Sequence, residues 1–238
     1  MRSYGQYCPI SRTSEILAER WVPLVVRNLL LGAKTFTEVL DGAPGMSRSL
    51  LTQRLRELER AGVIDIGPNP AGRGSVYELT PAGRDLWDVM IAMGNWGAKW
   101  IEITGEHADP RSVLWSWSTN SLDAERLPDE RILVRFVFPD QPASRRTFWL
   151  LFERRSCEVC HKHPGYEETL LVRASAIAFA KWHAGAIEWD EAVEAGDIEV
   201  AGPPELARAL PSWNRRSSFA PVAAAARTAS RREPTGAR

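Results

Sequence analysis

The chain has 238 residues, of which 44% are hydrophobic and 25% are charged, and its formal net charge at pH 7 is zero. This length predicts two domains, and the three cysteines argue against a disulfide scaffold. No apolar run approaches the about 18 residues of a membrane span, and Arg2 is not followed by the apolar segment of a signal peptide. We therefore expect a cytoplasmic protein that does not enter the membrane.

The neutral average conceals an uneven distribution of charge. Residues 1–104 have a net charge of +1, residues 105–213 of −6 and residues 214–238 of +5. Four arginines, Arg48, Arg54, Arg56 and Arg60, lie in one short segment of the first region. Local positive charge of this kind is compatible with binding to a nucleic acid.

Three helices are predicted before residue 42. Pro9 suits the first turn of a helix over residues 11–18, and an apolar second helix over residues 21–31 ends at Gly32. Thr35 with Glu38 three positions later has the spacing of a capping box, which predicts a short third helix.

A fourth helix is predicted over residues 47–62, where Leu51, Leu55 and Leu58 form one apolar stripe. A short helix, a tight turn around Gly45 and a basic amphipathic helix are the pattern of a helix-turn-helix. The polar residues on the other faces are of the types that contact bases in the major groove, namely Ser47, Arg48, Ser49, Thr52, Gln53 and Arg56. Arg54 lies near the leucine stripe, so either a phosphate contact or an intramolecular ion pair is expected for it.

Two short strands, at residues 63–66 and 75–79, flank a loop rich in glycine and proline that contains Arg73. This is the layout of a wing, whose arginine reaches phosphate or the minor groove. A long helix should follow from Thr80 and Pro81 to about residue 103. Its apolar surface, which includes Val89, Trp96 and Ile101, is wider than one small domain covers and therefore predicts a homodimer.

The segments YCPISRTSEILAERWVPLVVRNLLLGAKTF, GMSRSLLTQRLRELERAGVI and SVYELTPAGRDL together resemble the HxlR-type winged helix-turn-helix transcription regulators of bacteria. The resemblance covers residues 5–104. It implies a homodimer held by its terminal helices, a recognition helix at residues 47–61 and a wing at residues 67–74. It also implies that the partner is double-stranded DNA and that the chain regulates transcription.

Some HxlR-type regulators have a reactive cysteine at a position that matches Cys8. A thiol at a helix N-terminus, with Arg12 nearby, has a stabilised thiolate, so Cys8 is a redox-sensing candidate. The alternative is that Cys8 packs as a small hydrophobic residue in a dimer interface.

The second half of the chain predicts strands followed by helices. Strands are expected at residues 131–138, 147–153, 157–162 and 169–173, and they suggest an antiparallel meander. Helices at 175–183, 189–195 and 204–210, with a short strand at 198–200, should cover one face of that sheet. The predicted fold class is therefore α+β, with a winged helix-turn-helix domain at 1–104, a smaller α+β domain at 112–213 and a basic disordered tail at 214–238.

The run GAIEWDEAVEAGDIEVAGPPELARALPSW resembles the end of the sterol-carrier-protein-like fold, in which a sheet and helices enclose an apolar tunnel. The resemblance implies a lipophilic small molecule as ligand. The inward-facing candidates for such a pocket are Phe136, Phe148, Trp149, Phe152, Phe179 and Trp182. The alternative is that these aromatic side chains form an ordinary core.

The segment CEVCHKH has cysteine and histidine spacings found in haem and zinc sites. On a strand, however, Cys157 and Cys160 face opposite sides, so their side chains do not converge and no metal site is predicted. No catalytic motif is recognisable either, and we expect neither an enzyme nor a cofactor. The competing prediction for function is a lipid or small-molecule carrier whose N-terminal module only dimerises.

Overall fold

The computed structural model describes residues 3–70 and 72–232, which divide into two compact units, Met1–Met93 and Gly94–Arg238. The division falls inside a long helix, earlier than the boundary near residue 104 that the sequence predicted. Within the described ranges, no helix combines the length and the apolar character that a transmembrane span requires.

The N-terminal unit contains four short helices before its hairpin. They are α1 (Pro9–Leu17), α2 (Val22–Leu30), α3 (Phe36–Asp41) and α4 (Arg48–Arg60). The predicted capping box is present, because the Thr35 hydroxyl accepts a hydrogen bond from the Glu38 N–H and the Glu38 carboxylate accepts one from the Thr35 N–H. The hydrogen bonds that the Glu38 carboxylate accepts from the Lys34 N–H and from the Thr35 N–H hold the pKa of Glu38 below its ordinary value.

Strands β1 (Ile64–Pro68) and β2 (Ser75–Leu79) form the predicted antiparallel hairpin. Helix α5 (Pro81–Trp100) follows, and the Thr80 hydroxyl caps it by accepting a hydrogen bond from the Gly83 N–H at 3.1 Å. A Cβ at Gly83 would lie 2.1 Å from the Val63 carbonyl oxygen, so only glycine allows α5 to start this close to β1. The core of this unit joins the predicted leucine stripe of α4 to apolar residues of α2 and α3.

Up to residue 232, where its described part ends, the C-terminal unit contains five strands and five further α-helices. The strands are β3 (Ile132–Val137), β4 (Thr147–Glu153), β5 (Ser156–Cys160), β6 (Leu170–Ala174) and β7 (Ile198–Ala201). The helices are α6 (Pro110–Thr119), α7 (Ala176–Ala184), α8 (Trp189–Glu194), α9 (Pro204–Ala209) and α10 (Ala220–Arg232).

The strand order of this sheet is β5-β4-β3-β6-β7. The pairs β5–β4, β4–β3 and β6–β7 are antiparallel, whereas β3 and β6 are parallel. The predicted antiparallel meander is therefore wrong beyond β5. After β5 the chain does not add a strand at that edge, but crosses to the opposite side of β3, and a hydrophobic pattern does not encode which edge a strand joins.

Helix α6 was not predicted, and it supplies the central side chain of the core. The Asp109 carboxylate caps it by accepting a hydrogen bond from the Arg111 N–H at 3.1 Å, and Pro110 is its first residue. The Trp117 ring lies 5.9 Å from the Phe136 ring and 5.6 Å from the Trp182 ring, measured between centroids. The core is thus a set of aromatic rings between the sheet, α6 and α7.

The predicted disorder from residue 214 onward is wrong for residues 214–232. Asn214 is buried, and the Arg216 guanidinium donates hydrogen bonds to the carbonyls of Trp182 and Ile187 at 2.8 and 2.6 Å. Helix α10 follows and is held by Arg227, which contacts Glu191 at 2.8 Å. The composition suggested a solvated tail, but these arginines have partners that are distant in sequence. Residues 233–238 lie outside the described part of the chain.

Candidate nucleic-acid interface

One face of α4 consists of polar side chains. The helix begins where predicted, because the Ser47 hydroxyl caps it by accepting a hydrogen bond from the Leu50 N–H at 3.3 Å. Successive residues on a helix are about 100° apart, so the candidates that follow Ser47 lie within one arc of about 140°. They are Arg48, Ser49, Thr52, Gln53 and Arg56, all of them exposed except for the half-buried Thr52.

Neighbouring groups hold several of these side chains in place. The Arg48 guanidinium lies over the Phe36 ring of α3, 4.7 Å from its centroid, in a cation–π contact. The Thr52 hydroxyl donates a hydrogen bond to the Arg48 carbonyl at 3.0 Å, and the Gln53 amide donates one to Glu57 at 2.9 Å. These contacts fix the positions of Arg48, Thr52 and Gln53 on the face.

Arg54 lies on the opposite side of the helix and is only 9% exposed. Its guanidinium forms ion pairs with Glu57 at 2.6 Å and with Glu19 at 2.8 Å. Of the two roles that the sequence left open, the intramolecular ion pair is present in the structure, whereas the phosphate contact stays a prediction that the burial of Arg54 does not favour. The reason is geometric, since at about 100° per residue position 54 is roughly 170° from the middle of the polar arc.

The ion pair also changes the chemistry of Glu57. Burial by itself would raise the pKa of this carboxyl group, but hydrogen bonds from Arg54 and Gln53 outweigh burial and hold the pKa below its ordinary value. Glu57 is therefore ionised at neutral pH. The negative charge balances Arg54 in the interior, and it fixes the Gln53 side chain at the edge of the polar face.

The wing places a single arginine at its tip. Arg73 is exposed and lies between Gly72 and Gly74, whose φ angles of 150° and 103° are in the region that favours glycine. Below the tip, the Asn69 N–H donates to the Gly74 carbonyl at 3.0 Å and closes the loop. Arg73 thus lies on the hairpin loop, as the sequence predicted.

A second cation beside the wing was missed in the sequence. The Tyr77 N–H donates to the Lys34 carbonyl at 2.8 Å, and Thr35 forms a β-bridge with Val76. The exposed Lys34 consequently lies alongside β2. Lys34 directly precedes the Thr35–Glu38 capping box, which marks the end of the turn before α3. That position was the available sequence signal for an exposed cation at this turn.

A buried polar group joins α2 to the end of α3. The Asn28 amide donates to the Val39 carbonyl at 2.9 Å, and the Arg27 guanidinium donates to the Gly42 carbonyl at 2.6 Å and to the Asn28 side chain. Burial lowers the pKa of Arg27. The Phe36 ring of α3 lies beneath the Arg48 guanidinium. By holding α3 against α2, these hydrogen bonds therefore also position the ring that Arg48 contacts.

The N-terminal part of the chain matches known proteins. The family model of the HxlR-like helix-turn-helix matches residues 16–104. The HTH-type transcriptional regulator sll1512 of Synechocystis sp. is 40% identical over 100 residues, which are 41% of this chain and 73% of that protein. The chain belongs to the HxlR-like helix-turn-helix family.

Further relatives match the same part of the chain. The HTH-type transcriptional regulator YvaP of Bacillus subtilis is 35% identical over 101 residues, which are 41% of this chain and 93% of that protein. Among solved structures, the reduced form of the B. subtilis transcriptional regulator YodB is 29% identical, with a TM-score of 0.36 over 41% of this chain and 97% of that one. Family membership thus concerns the first hundred residues.

Cys8 precedes α1 as its N-cap residue and is partly buried, as a free thiol. The cation that the sequence placed near it, Arg12, forms an ion pair with Glu15 at 3.7 Å. The redox role of Cys8 stays a prediction.

The aromatic pocket candidates of the C-terminal unit are core residues. Phe136, Phe148, Phe152, Phe179 and Trp182 are all at most 2% exposed. The Phe179 ring contacts two of the others, with 5.6 Å between the centroids of Phe136 and Phe179 and 5.4 Å between those of Phe179 and Trp182. Phe148 and Phe152 contact other rings of the same core, those of Phe138 and Trp117. The five side chains are therefore part of the packed core, and their role in holding a ligand stays a prediction.

Trp149, the sixth candidate, lies on the other face of the sheet. It is partly exposed, and its indole N–H donates to Glu168 at 2.8 Å. It therefore does not share a cavity with the five core rings. The alternation of strand β4 explains this, because Phe148 and Trp149 are adjacent and must point to opposite faces.

The two cysteines of strand β5 differ in environment. Cys157 packs against the aromatic core, and burial raises the pKa of its thiol. Cys160 pairs in register with Trp149, and burial raises the pKa of its thiol too. A raised pKa disfavours the reactive thiolate. In the described part of the chain, no three His, Cys, Asp or Glu side chains are grouped as metal ligands.

Proposed function

We propose that this chain is a DNA-binding transcription regulator that binds a two-fold operator as a homodimer, with α4 in the major groove. Family membership supports the regulation of transcription. The observation that carries the proposal is the ordered, exposed arc of Arg48, Ser49, Thr52, Gln53 and Arg56 on a helix whose opposite side is buried. A dimerisation module would not need such a face, so the alternative of a carrier protein is not favoured.

Each side chain of the interface has an expected role. Arg48 and Arg56 have the length and donor geometry to bind guanine through two hydrogen bonds. Ser47, Ser49, Thr52 and Gln53 supply shorter donors and acceptors along the same groove. Arg73 on the wing contacts phosphate or the minor groove, and Lys34 beside it adds a second phosphate contact.

Exposed apolar side chains support a dimer. On α5, Trp87 is 45% exposed, Met93 49%, Trp96 61% and Trp100 65%. At about 100° per residue, Met93, Trp96 and Trp100 share one side of the helix, and a contiguous exposed apolar patch of this kind is typical of a protein–protein interface. A second copy related by a two-fold axis would cover them, and its recognition helix would lie roughly 34 Å away, one turn of DNA.

Two kinds of control are proposed beside DNA binding. Oxidation of Cys8 would act at the start of α1, and a lipophilic ligand would act in the C-terminal unit. For the C-terminal unit we also propose a sterol-carrier-like arrangement, in which helices cover a sheet. This proposal does not include an open tunnel through the aromatic core.

The test is binding of the full chain to the DNA upstream of its own gene, measured by fluorescence anisotropy at several salt concentrations. Arg48→Ala should lose about 1 to 3 kcal/mol of binding free energy if Arg48 reaches guanine. Arg73→Ala should mainly reduce the dependence on salt, by about one in the slope of log K against log salt. Arg208→Ala, an exposed arginine of α9, is the matched control. Equal operator affinity of Arg48→Ala and the parent would contradict the assignment.

A further inference from the structure

The C-terminal unit contains a groove of about 850 Å³ between the end of α5, helix α7 and helix α10. All residues that line it lie between positions 94 and 227, inside one compact unit. Volumes of this size hold small organic molecules. The groove is separate from the aromatic core and from the pocket that the sequence predicted.

The groove is open because its walls are made of small residues. Gly97, Ala184, Ala186 and Ala223 line three sides of it. A Cβ added at Gly97 would meet only Ile101, at 3.9 Å, so this wall has free space in front of it. The larger side chains that border the groove, Trp100, Ile101, Ile103, Ile187 and Phe219, are apolar. The interior is therefore suited to an apolar group.

Specific contacts hold α10 in place as the third wall. The Phe219 ring lies against Gly94, where a Cβ would be only 2.2 Å from it. Gly185 has a φ of 87°, and the Ala220 carbonyl oxygen lies close to it. A Cβ added at Gly185 would be only 2.4 Å from that oxygen, so the contact requires glycine. The Arg227 guanidinium then ties α10 to Glu188 and Glu191 at 3.3 and 2.8 Å.

The charged groups at the groove are mainly cationic. Lys99, Lys181 and Arg227 line it together with a single acid, Glu102. Arg227 is paired, as described above, whereas neither lysine forms an ion pair with any described side chain. Lys99 instead lies over the Trp100 ring at 4.9 Å. The groove thus offers an apolar interior and two lysines that form no ion pair with a described side chain, against one lining carboxylate, that of Glu102.

We propose that this groove binds a small amphipathic molecule with an apolar body and one carboxylate, the carboxylate being held by Lys181 and Lys99. The charge complementarity favours an anion over a neutral or cationic ligand. The proposal names a ligand class for the ligand control proposed above. Binding of the ligand does not depend on the proposed function, but an effect of the ligand on transcription does. The C-terminal part of α5, from Gly94 to Trp100, lines the groove.

The binding test uses decanoate, decan-1-ol and decylammonium as probes with the same apolar chain. Isothermal titration of the full-length protein should give saturable binding of one decanoate per chain. Decanoate should bind up to about fivefold more tightly than decan-1-ol, since one partly screened ion pair supplies as much as about 1 kcal/mol. Equal affinity for the three probes, or no decanoate binding, would refute the proposal.

Three variants locate the site. Lys181→Gln should weaken decanoate binding about fivefold and leave decan-1-ol binding unchanged. Gly97→Leu should abolish binding of both, because its side chain enters the groove, while the higher helix propensity of leucine keeps α5 intact. Lys162→Gln, an exposed lysine outside the groove, is the matched control and should not change affinity.

A second copy of the chain is the other candidate occupant. If it covers the groove, Gly97→Leu will shift the dimer equilibrium in sedimentation experiments and decanoate will not bind, which overturns the proposal. Operator affinity is measured separately on the same samples. Decanoate binding without operator binding would refute the proposed function alone, and operator binding without decanoate binding would refute this inference alone.

Discussion

Helix α4 and the aromatic core of the C-terminal unit use their large side chains in opposite ways. On α4, long polar side chains lie in one exposed arc, and their contacts are with single neighbours such as Phe36 and Glu57. In the core, Trp117 contacts four other rings and its indole N–H donates to the Trp213 carbonyl at 3.1 Å. Substitutions should therefore affect recognition in the first region and stability in the second.

The largest effect is expected in the aromatic core. Trp117→Ala should reduce the free energy of unfolding of the C-terminal unit by about 3 to 5 kcal/mol, since a fully buried ring is removed and a cavity remains. The measurement is urea unfolding followed by tryptophan fluorescence. Trp117→Phe, which keeps a ring in place, should cost less than half as much. A cost below about 1 kcal/mol for both variants would mean that the rings are not closely packed.

Two arginines of α4 provide a sharper comparison within one helix. Arg54→Ala should destabilise the N-terminal unit by about 2 to 3 kcal/mol, because Glu57 is left buried without its cation. The cost is smaller than for a fully buried ion pair, since the other partner of Arg54, Glu19, is partly exposed. Arg56→Ala should change stability by less than about 0.5 kcal/mol but weaken operator binding. Urea unfolding and anisotropy measure the two effects. Full stability of Arg54→Ala with a smaller salt slope would instead support a phosphate contact.

The buried histidine of α7 predicts a dependence on pH in the C-terminal unit. Burial lowers the pKa of His183 to about 4, and its Nε2 lies 3.1 Å from the Ser116 hydroxyl. Below pH 6.5 the unfolded chain takes up a proton at this position and the folded chain does not, so stability decreases as the pH falls towards 4. The loss between pH 7.5 and 5 should be about 2 kcal/mol.

His183→Gln should remove this part of the pH dependence, and the test is urea unfolding at both pH values. His107→Gln, at an exposed histidine of the same unit, is the control. An unchanged pH dependence in His183→Gln would contradict the neutral, buried state of His183.

The smallest effect is expected at a helix cap of the N-terminal unit. Thr35→Ala removes the hydroxyl that accepts a hydrogen bond from the Glu38 N–H and should cost about 1 kcal/mol, or about 4 to 8 °C in the melting temperature of a unit of this size. Thr37→Ala, at an exposed threonine of the same helix, should have little effect. If both variants melt at the same temperature, the cap does not stabilise α3.

Most of the N-terminal unit was predictable because its signals are local. Thr35 and Ser47 mark helix starts that lie within three residues of the groups they cap. The position of Arg54 followed from helical periodicity as well, although residue type alone had suggested phosphate. Lys34 was missed because its place beside the wing depends on a bridge to β2, more than 40 residues away.

The C-terminal unit was harder to predict because its decisive contacts join distant residues. Its strands and later helices were found from their patterns, but the parallel pairing of β3 with β6 and the place of α6 were not. Helix α10 depends on Arg216 and Arg227, whose partners are 28 to 41 residues away in the chain. The groove between α5, α7 and α10 exists only once these contacts have formed.

The sequence by itself determined the order of the helices, the caps, the hairpin and the face of α4 that carries arginine, serine, threonine and glutamine, because each is set by residues within one or two turns of the chain. Only the tertiary structure decided that the aromatic residues fill a core, that the C-terminal segment forms a wall, and that two lysines border an apolar groove. Those outcomes depend on which surfaces meet, and packing between distant segments has no local signature in the sequence.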